Sequence, residues 1–171
     1  MVNPSEVLDD KAFSFIRIAP RPAKPRDRGM TIVADRGVGM NAQADLMQSA
    51  GDFVDMMKIG IGAFRLQTEE LLRNKIDHLH ESGVEVFFAG DITEAAFLQG
   101  HSDKFYRKVK DLGSDAVEVS SAQVSMSIDD KCRLITMASD AGLKVVAEAG
   151  QKGHDSWTHS LSYINKQIEA Y

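Results

Sequence analysis

Several charged residues stand inside, or at the ends of, short apolar runs. Asp35 closes the run 31–35 (TIVAD) and Arg36 follows it; Lys58 lies in 54–60 (VDMMKIG), Glu118 in 116–120 (AVEVS) and Glu148 in 144–150 (KVVAEAG), with Lys152 just beyond. Charge is costly to bury among apolar neighbours. Charges recurring at matching ends of successive runs therefore point to one shared site rather than to separate ion pairs. Asp35, Glu118 and Glu148 offer hard oxygen ligands of the kind Mg²⁺ prefers. Lys58, Lys152 and Arg36 offer countercharge for a carboxylate or phosphate. The glycines after these runs, Gly37, Gly39, Gly60, Gly62, Gly150 and Gly153, let backbone N–H groups approach an anion. The combination suits a small phosphorylated or carboxylated substrate together with a divalent cation.

These residues need a scaffold that brings run ends together. With 84–90 (VEVFFAG) the runs number five, each mostly apolar throughout, as strands covered on both faces read. Helical patterns alternate with them. Leu71, Leu72, Lys75, Ile76 and Leu79 form one stripe, with Thr68 as N-cap and Glu69 and Glu70 in the first turn. Others are Phe105, Val109 and Leu112 after Ser102; Leu134, Ile135 and Ala138 after Asp129 and Asp130; and Leu161, Ile164 and Ile168. Gly51, Gly83, Gly113 and Gly142 each stand between a helix and the next strand, where a left-handed cap is expected. Repeated helix–Gly–strand units predict parallel βα units. Five units make either an open α/β sheet or the first five-eighths of a (β/α)8 barrel. In both, the site lies at the carboxyl ends of the strands.

Competing motifs are weaker. Gly37-Val-Gly39-Met-Asn-Ala42 fits a dinucleotide fingerprint, but the second strand then wants an acid at its end, and Lys58 is there. The five histidines show no metal-ligand spacing, and Cys132 has no base beside it in sequence. One cysteine in 171 residues excludes a disulfide framework. No apolar run approaches the roughly 18–20 residues of a membrane span. The opening MVNPSEVLDD is polar and acidic, unlike a secretory signal, so a cytoplasmic protein is expected. The net charge is −5, which argues against a nucleic-acid partner. Residues 17–28 nonetheless carry +4, leaving −9 for the rest, and hold three of the four prolines. That stretch reads as a stiff basic arm, either a solvated linker or an anion-facing lid. The sequence thus predicts a single domain over 1–171, with an N-terminal arm at about 11–29 and βα units over 30–171. Unpaired edges on the first and last strands make self-association, as a homo-oligomer, the expectation.

At the rim motifs the chain resembles a known family. Lys24-Pro25-Arg26-x-x-Gly29-x-Thr31-x-x-x-Asp35-x-Gly37 is similar to the KPRxxGxTxxxDxG opening of the phosphosulfolactate synthases. Asp52-Phe-Val-Asp55-x-x-Lys58-x-Gly60-x-Gly62, Leu112-Gly113-x-x-x-Val117-Glu118-Val-Ser120 and Glu148-x-Gly150-x-Lys152 also resemble family motifs. The resemblance implies a TIM-barrel-type (β/α) repeat with about five of eight units in this chain. It implies Mg²⁺-dependent addition of sulfite to phosphoenolpyruvate, giving (2R)-phospho-3-sulfolactate, an early step towards coenzyme M in methanogens. On that reading Asp35, Glu118 or Glu148 would hold Mg²⁺, with Glu118 also catalytic. Lys58 or Lys152 would deliver a proton. Lys24, Arg26 and Arg36, with Gly60, Gly62, Thr93 and Ser120, would bind substrate.

The chain departs from the family pattern in places. Where the family has GGTxxE, this sequence has Ala89-Gly90-Asp91-Ile92-Thr93-Glu94, with one glycine fewer and an added acid. Where it has SDG, Ser120 is followed by Ser121 and Ala122, and the first lysine of its last motif is Gln151. These changes leave a second expectation open: a divergent relative without this activity, of the kind met in a plant heat-stress-associated protein.

Overall fold

The computed structural model describes residues 11–16, 21–60, 62–150 and 161–171. Five strands form one parallel sheet in the order β1-β2-β3-β4-β5: β1 Ile32–Asp35, β2 Met56–Ile59, β3 Glu85–Phe88, β4 Ala116–Val119 and β5 Lys144–Ala147. Helices α1 Met40–Ala50, α2 Glu69–Glu81, α3 Gly90–Leu98, α4 Ser102–Asp111, α5 Ile128–Asp140 and α6 Leu161–Ala170 connect and follow them. Sequential strand order has no topological switch point, so the arrangement is that of consecutive barrel units rather than of a doubly wound sheet.

Strand side chains alternate between faces. Met57, Ile59, Val86, Phe88, Val117 and Val119 point to one face and share a core with Leu72, Ile76 and Leu79 of α2, Tyr106 and Val109 of α4 and Leu134 and Ala138 of α5. Met56, Phe87 and Ala116 form a separate cluster on the other face, with Val146 against it and no helix residue. Lys58 and Glu118 share this inner face, in register with Phe87 and Val146 respectively. Among the described residues no helix is long and apolar enough to cross a membrane.

Helix starts follow local chemistry. Thr68 accepts from Leu71 N–H at α2, and Ser127 from Asp130 N–H at α5. Gly83, Gly113 and Gly142 have positive φ, as their places after helices predict; Gly51 does not, since at φ −54° it opens a 3₁₀ turn, Gly51–Phe53. Residues 90–98, whose opening reads from sequence as the loop after the third strand, form α3.

The basic arm is where sequence reasoning goes furthest astray. Arg26 buries its guanidinium against Asp55, 2.7 Å from Oδ1, and donates to the carbonyls of Pro22 and Asp52. Arg21 reaches the other oxygen of Asp55 at 2.9 Å. Lys24 Nζ donates to the carbonyls of Gly51 (2.7 Å) and Ser82 (3.1 Å), which precede β2 and β3. Asp55 precedes β2, whereas Gly60 follows it; at about 3.3 Å per residue the two ends lie about 16 Å apart. Lys24 and Arg26 therefore clasp the amino-terminal base of the sheet and do not face an anion at the rim. Burial pushes the Asp55 pKa up, but the Thr31 N–H and the Arg26 and Arg21 guanidinium groups outweigh burial and hold it below the ordinary carboxylate value.

Candidate functional site

The carboxyl ends of β1 to β4 surround a cavity of about 310 Å³, whose lining includes Arg36, Lys58, Gly60, Gly90, Asp91, Glu118 and Ser120. Lys58 Nζ lies 2.5 Å from Glu118 Oε2, with the two side chains 26% and 6% exposed. Lys58 comes from β2 and Glu118 from β4, so the pair reaches across β3. Small residues at the end of β3 make room for it. A side chain at Gly90 would place its Cβ 2.1 Å from Ser120 Oγ and 3.2 Å from Glu118 Oε1.

Neither of the other carboxylates expected to hold a metal lines this cavity. Asp35 Oδ1 accepts from the N–H groups of Gly37 (2.7 Å) and Val38 (2.9 Å), turning the chain at the end of β1. Its Oδ2 pairs with Lys75 of α2, a fully buried lysine that also donates to the Val38 carbonyl at 2.6 Å. Asp35 thus shapes the loop that carries Arg36 to the cavity. Glu148, at the end of β5, lies outside the cavity lining; its carbonyl accepts from Lys131 Nζ of α5 at 2.8 Å. Burial depresses the Lys131 pKa, against the pull of the Glu148 and Glu94 carboxylates. Among the described residues no three of His, Cys, Asp and Glu could together hold a metal ion. Asp35, Glu118 and Glu148 thus do not gather into one cluster, contrary to what their strand-end positions suggest from sequence; of the three, Glu118 lines the cavity.

Thr93 is fully buried in α3 and donates from Oγ1 to the Glu118 carbonyl at 2.8 Å, tying α3 to β4 rather than facing a substrate. Ser120 lines the cavity but gives its hydroxyl proton to Glu94 Oε1 at 2.6 Å. Gly60 lines the cavity and donates its N–H to the Asp35 carbonyl at 2.9 Å. Gly62, left-handed at φ 65°, opens a 3₁₀ turn beside Arg65 and Asp91. Lys152 lies outside the described residues.

Two acids that sequence reasoning did not assign shape this rim. Glu94 is almost fully buried and accepts, besides Ser120, the N–H groups of Ala122 (2.6 Å), Gln123 (2.7 Å) and Val124 (2.8 Å). It fixes the loop after β4, which supplies Ala122 and Gln123 to the cavity. The available signal is an acid in the largely apolar stretch Ile92–Leu98. Burial pushes the Glu94 pKa up, but the Ser120 hydroxyl and three N–H groups hold it below its ordinary value. A depressed carboxylate stabilises the fold above its unfolded value, near 4.5, and that contribution is lost as pH falls through the folded pKa. Glu94→Gln is expected to cost about 2 kcal/mol at pH 7 and to flatten the acid limb of stability; urea unfolding at pH 7 and pH 4 measures both. Asp91 lies in the first turn of α3. Burial raises its pKa, opposed by the N–H groups of Asp91 and Ile92 and by Arg65 and Lys58.

Comparison with known proteins points the same way as these residues. The model of the (2R)-phospho-3-sulfolactate synthase (ComA) family matches residues 19–171. Phosphosulfolactate synthase of Methanothermobacter thermautotrophicus is 36% identical over 141 residues, 82% of this chain and 54% of the relative. That of Methanocaldococcus jannaschii is 30% identical over 145 residues, 85% of this chain and 55% of the relative. Protein HEAT-STRESS-ASSOCIATED 32 of Arabidopsis thaliana is 28% identical over 138 residues, 77% of this chain and 47% of the relative. The chain spans about half the length of these relatives. With the whole sheet and its rim inside the matched span, the chain belongs to the (2R)-phospho-3-sulfolactate synthase family.

Proposed function

We propose that the rim cavity binds a small phosphorylated or carboxylated anion and that the chain's chemistry is addition of sulfite to phosphoenolpyruvate. The observation that carries this reading is the Lys58–Glu118 pair with Arg36 around one cavity at the carboxyl ends of the strands, in a chain of this family. The cavity is at the lower end of the range used by small-molecule sites.

In this reaction the sulfur lone pair forms a bond to C3 of phosphoenolpyruvate. The C2–C3 π electrons move towards the carboxylate, and the resulting enediolate takes a proton at C2. Lys58 supplies both things this needs: positive charge beside the developing anion and a proton on Nζ. Glu118, nearly buried and 2.5 Å away, holds that ammonium towards the cavity. Arg36, on the exposed loop after β1, is placed to meet a second anionic group. Glu118 and Asp35 are each paired with a lysine and Glu148 lies outside the cavity lining, so no step is assigned to Mg²⁺.

The direct test is to incubate the protein with phosphoenolpyruvate and sulfite, in Mg²⁺ and in EDTA, and to monitor the phosphorus and proton resonances. Conversion to a phosphorylated sulfonate is expected. A folded protein that consumes neither substrate in either buffer overturns the activity and leaves the second reading, an anion-binding relative without this chemistry. The added acid at Asp91 favours that second reading.

A further inference from the structure

Four donors in the loop after β4 converge on one buried carboxylate, that of Glu94. Oε1 accepts from the Ser120 hydroxyl and the Ala122 N–H, and Oε2 from the N–H groups of Gln123 and Val124. Successive backbone N–H groups turned into one concavity make an oxyanion nest, the device by which loops hold phosphate and related anions. Here the anion belongs to the chain itself and arrives from the second turn of α3. Lys131, fully buried on α5, is drawn by the same carboxylate and adds positive charge to its surroundings.

The filled nest governs what the loop can offer a ligand. Ser120, Ala122 and Gln123 line the cavity, yet the Ser120 hydroxyl and the two N–H groups are committed to Glu94. An oxyanion entering the cavity finds those donors taken. Its charge is met instead from the side of β1 and β2, by Arg36 and Lys58. The loop in turn depends on the carboxylate for its shape, because donors that point inward without an acceptor are costly.

We infer that Glu94 is a positioning residue acting as a built-in anion: it fills an oxyanion nest in the loop after β4, sets the cavity wall made by Ser120, Ala122 and Gln123, and leaves a ligand's negative charge to Lys58 and Arg36. The part that concerns the ligand rests on the rim reading proposed above; the nest itself does not.

Glu94→Ala empties the nest and leaves room for acetate, whose methyl and carboxylate replace the missing Cγ and carboxylate. The variant is expected to lose about 6 °C in Tm. Sodium acetate at about 0.2 M, against sodium chloride of equal ionic strength, is expected to recover about half of that loss. Acetamide, of the same shape but uncharged, should recover none, and acetate should raise the wild-type Tm less than that of the variant. Equal gains from acetate and acetamide, or equal gains from acetate in variant and wild type, overturn the nest. The milder Glu94→Gln, which turns an amide nitrogen towards two of the four donors, tests positioning and serves if Glu94→Ala does not fold. Its KM for phosphoenolpyruvate is expected to rise about tenfold with kcat within about threefold, because the wall moves while Lys58 and Glu118 stay on their strands. Val109→Ala, a buried change in the outer core, should lower Tm and leave KM unchanged. A wild-type KM in Glu94→Gln, or the same rise in Val109→Ala, overturns the positioning role. If the wild type consumes neither substrate, the activity proposed above and the positioning of its ligand fall together, while the acetate experiment still decides the nest.

Discussion

Lys58→Met is expected to lower turnover of phosphoenolpyruvate and sulfite by roughly 10²–10⁴-fold, the usual contribution of a positioned proton donor. By transition-state arithmetic that is about 3–5 kcal/mol of barrier. Methionine keeps most of the stem volume on the inner face of β2, beside Phe87 in the neighbouring strand. The substitution leaves Glu118 without its cation, so unfolding is measured alongside kinetics. Lys58→Arg separates the two roles. Arginine restores positive charge but not a readily released proton, so a proton donor predicts low kcat with KM near wild type. Recovery of kcat in Lys58→Arg would make Lys58 an anion contact instead, as would a raised KM with unchanged kcat in Lys58→Met.

The largest stability effect is expected at Lys75. Its ammonium is fully buried, pairs with Asp35 and donates to the Val38 carbonyl. Removing one member of a buried pair leaves an uncompensated charge and costs about 3–5 kcal/mol. For a chain of this size, Lys75→Met should lower Tm on the order of 10 °C. The double variant Lys75→Met with Asp35→Asn should recover part of the loss, because asparagine removes the stranded charge while its carbonyl still accepts from Gly37 and Val38. A loss under about 1 kcal/mol in the single variant would show that the pair contributes little, as exposed pairs do. If the Lys75 variant also lost anion binding before it unfolded, Asp35 would be shown to act on the rim through the loop that carries Arg36.

The sequence displays the sheet better than the site. The five apolar runs are all strands, because apolar β-rich stretches separated by amphipathic ones have few other solutions. Helix α3 is hidden for the opposite reason. It begins with glycine, has no side-chain cap, and buries Ile92, Thr93, Glu94 and Ala96, so little amphipathic contrast marks it. Lys58 and Glu118 show themselves as charges within strands. Asp35 shows itself too, but its partner lies 40 residues away on another element. The clue is Lys75 itself, a cation within an apolar stripe, which must find an anion when that stripe is buried. Composition identifies the basic arm but carries no information on which end of the sheet it crosses. That depends on Asp55 and on the carbonyls of Gly51, Asp52 and Ser82, all before strands rather than after them.

That clasp divides the molecule by role. Arg21, Lys24 and Arg26 hold together the starts of β2 and β3 and the residue leading into β1, while the cavity is built from the carboxyl-terminal halves of the strands and the loops beyond them. A change in the arm is therefore felt as a loss of cohesion among the first three strands, and a change in the loops as an altered appetite for ligands. Because the two ends share no side chain, rim loops can change without loosening the base that keeps the sheet assembled.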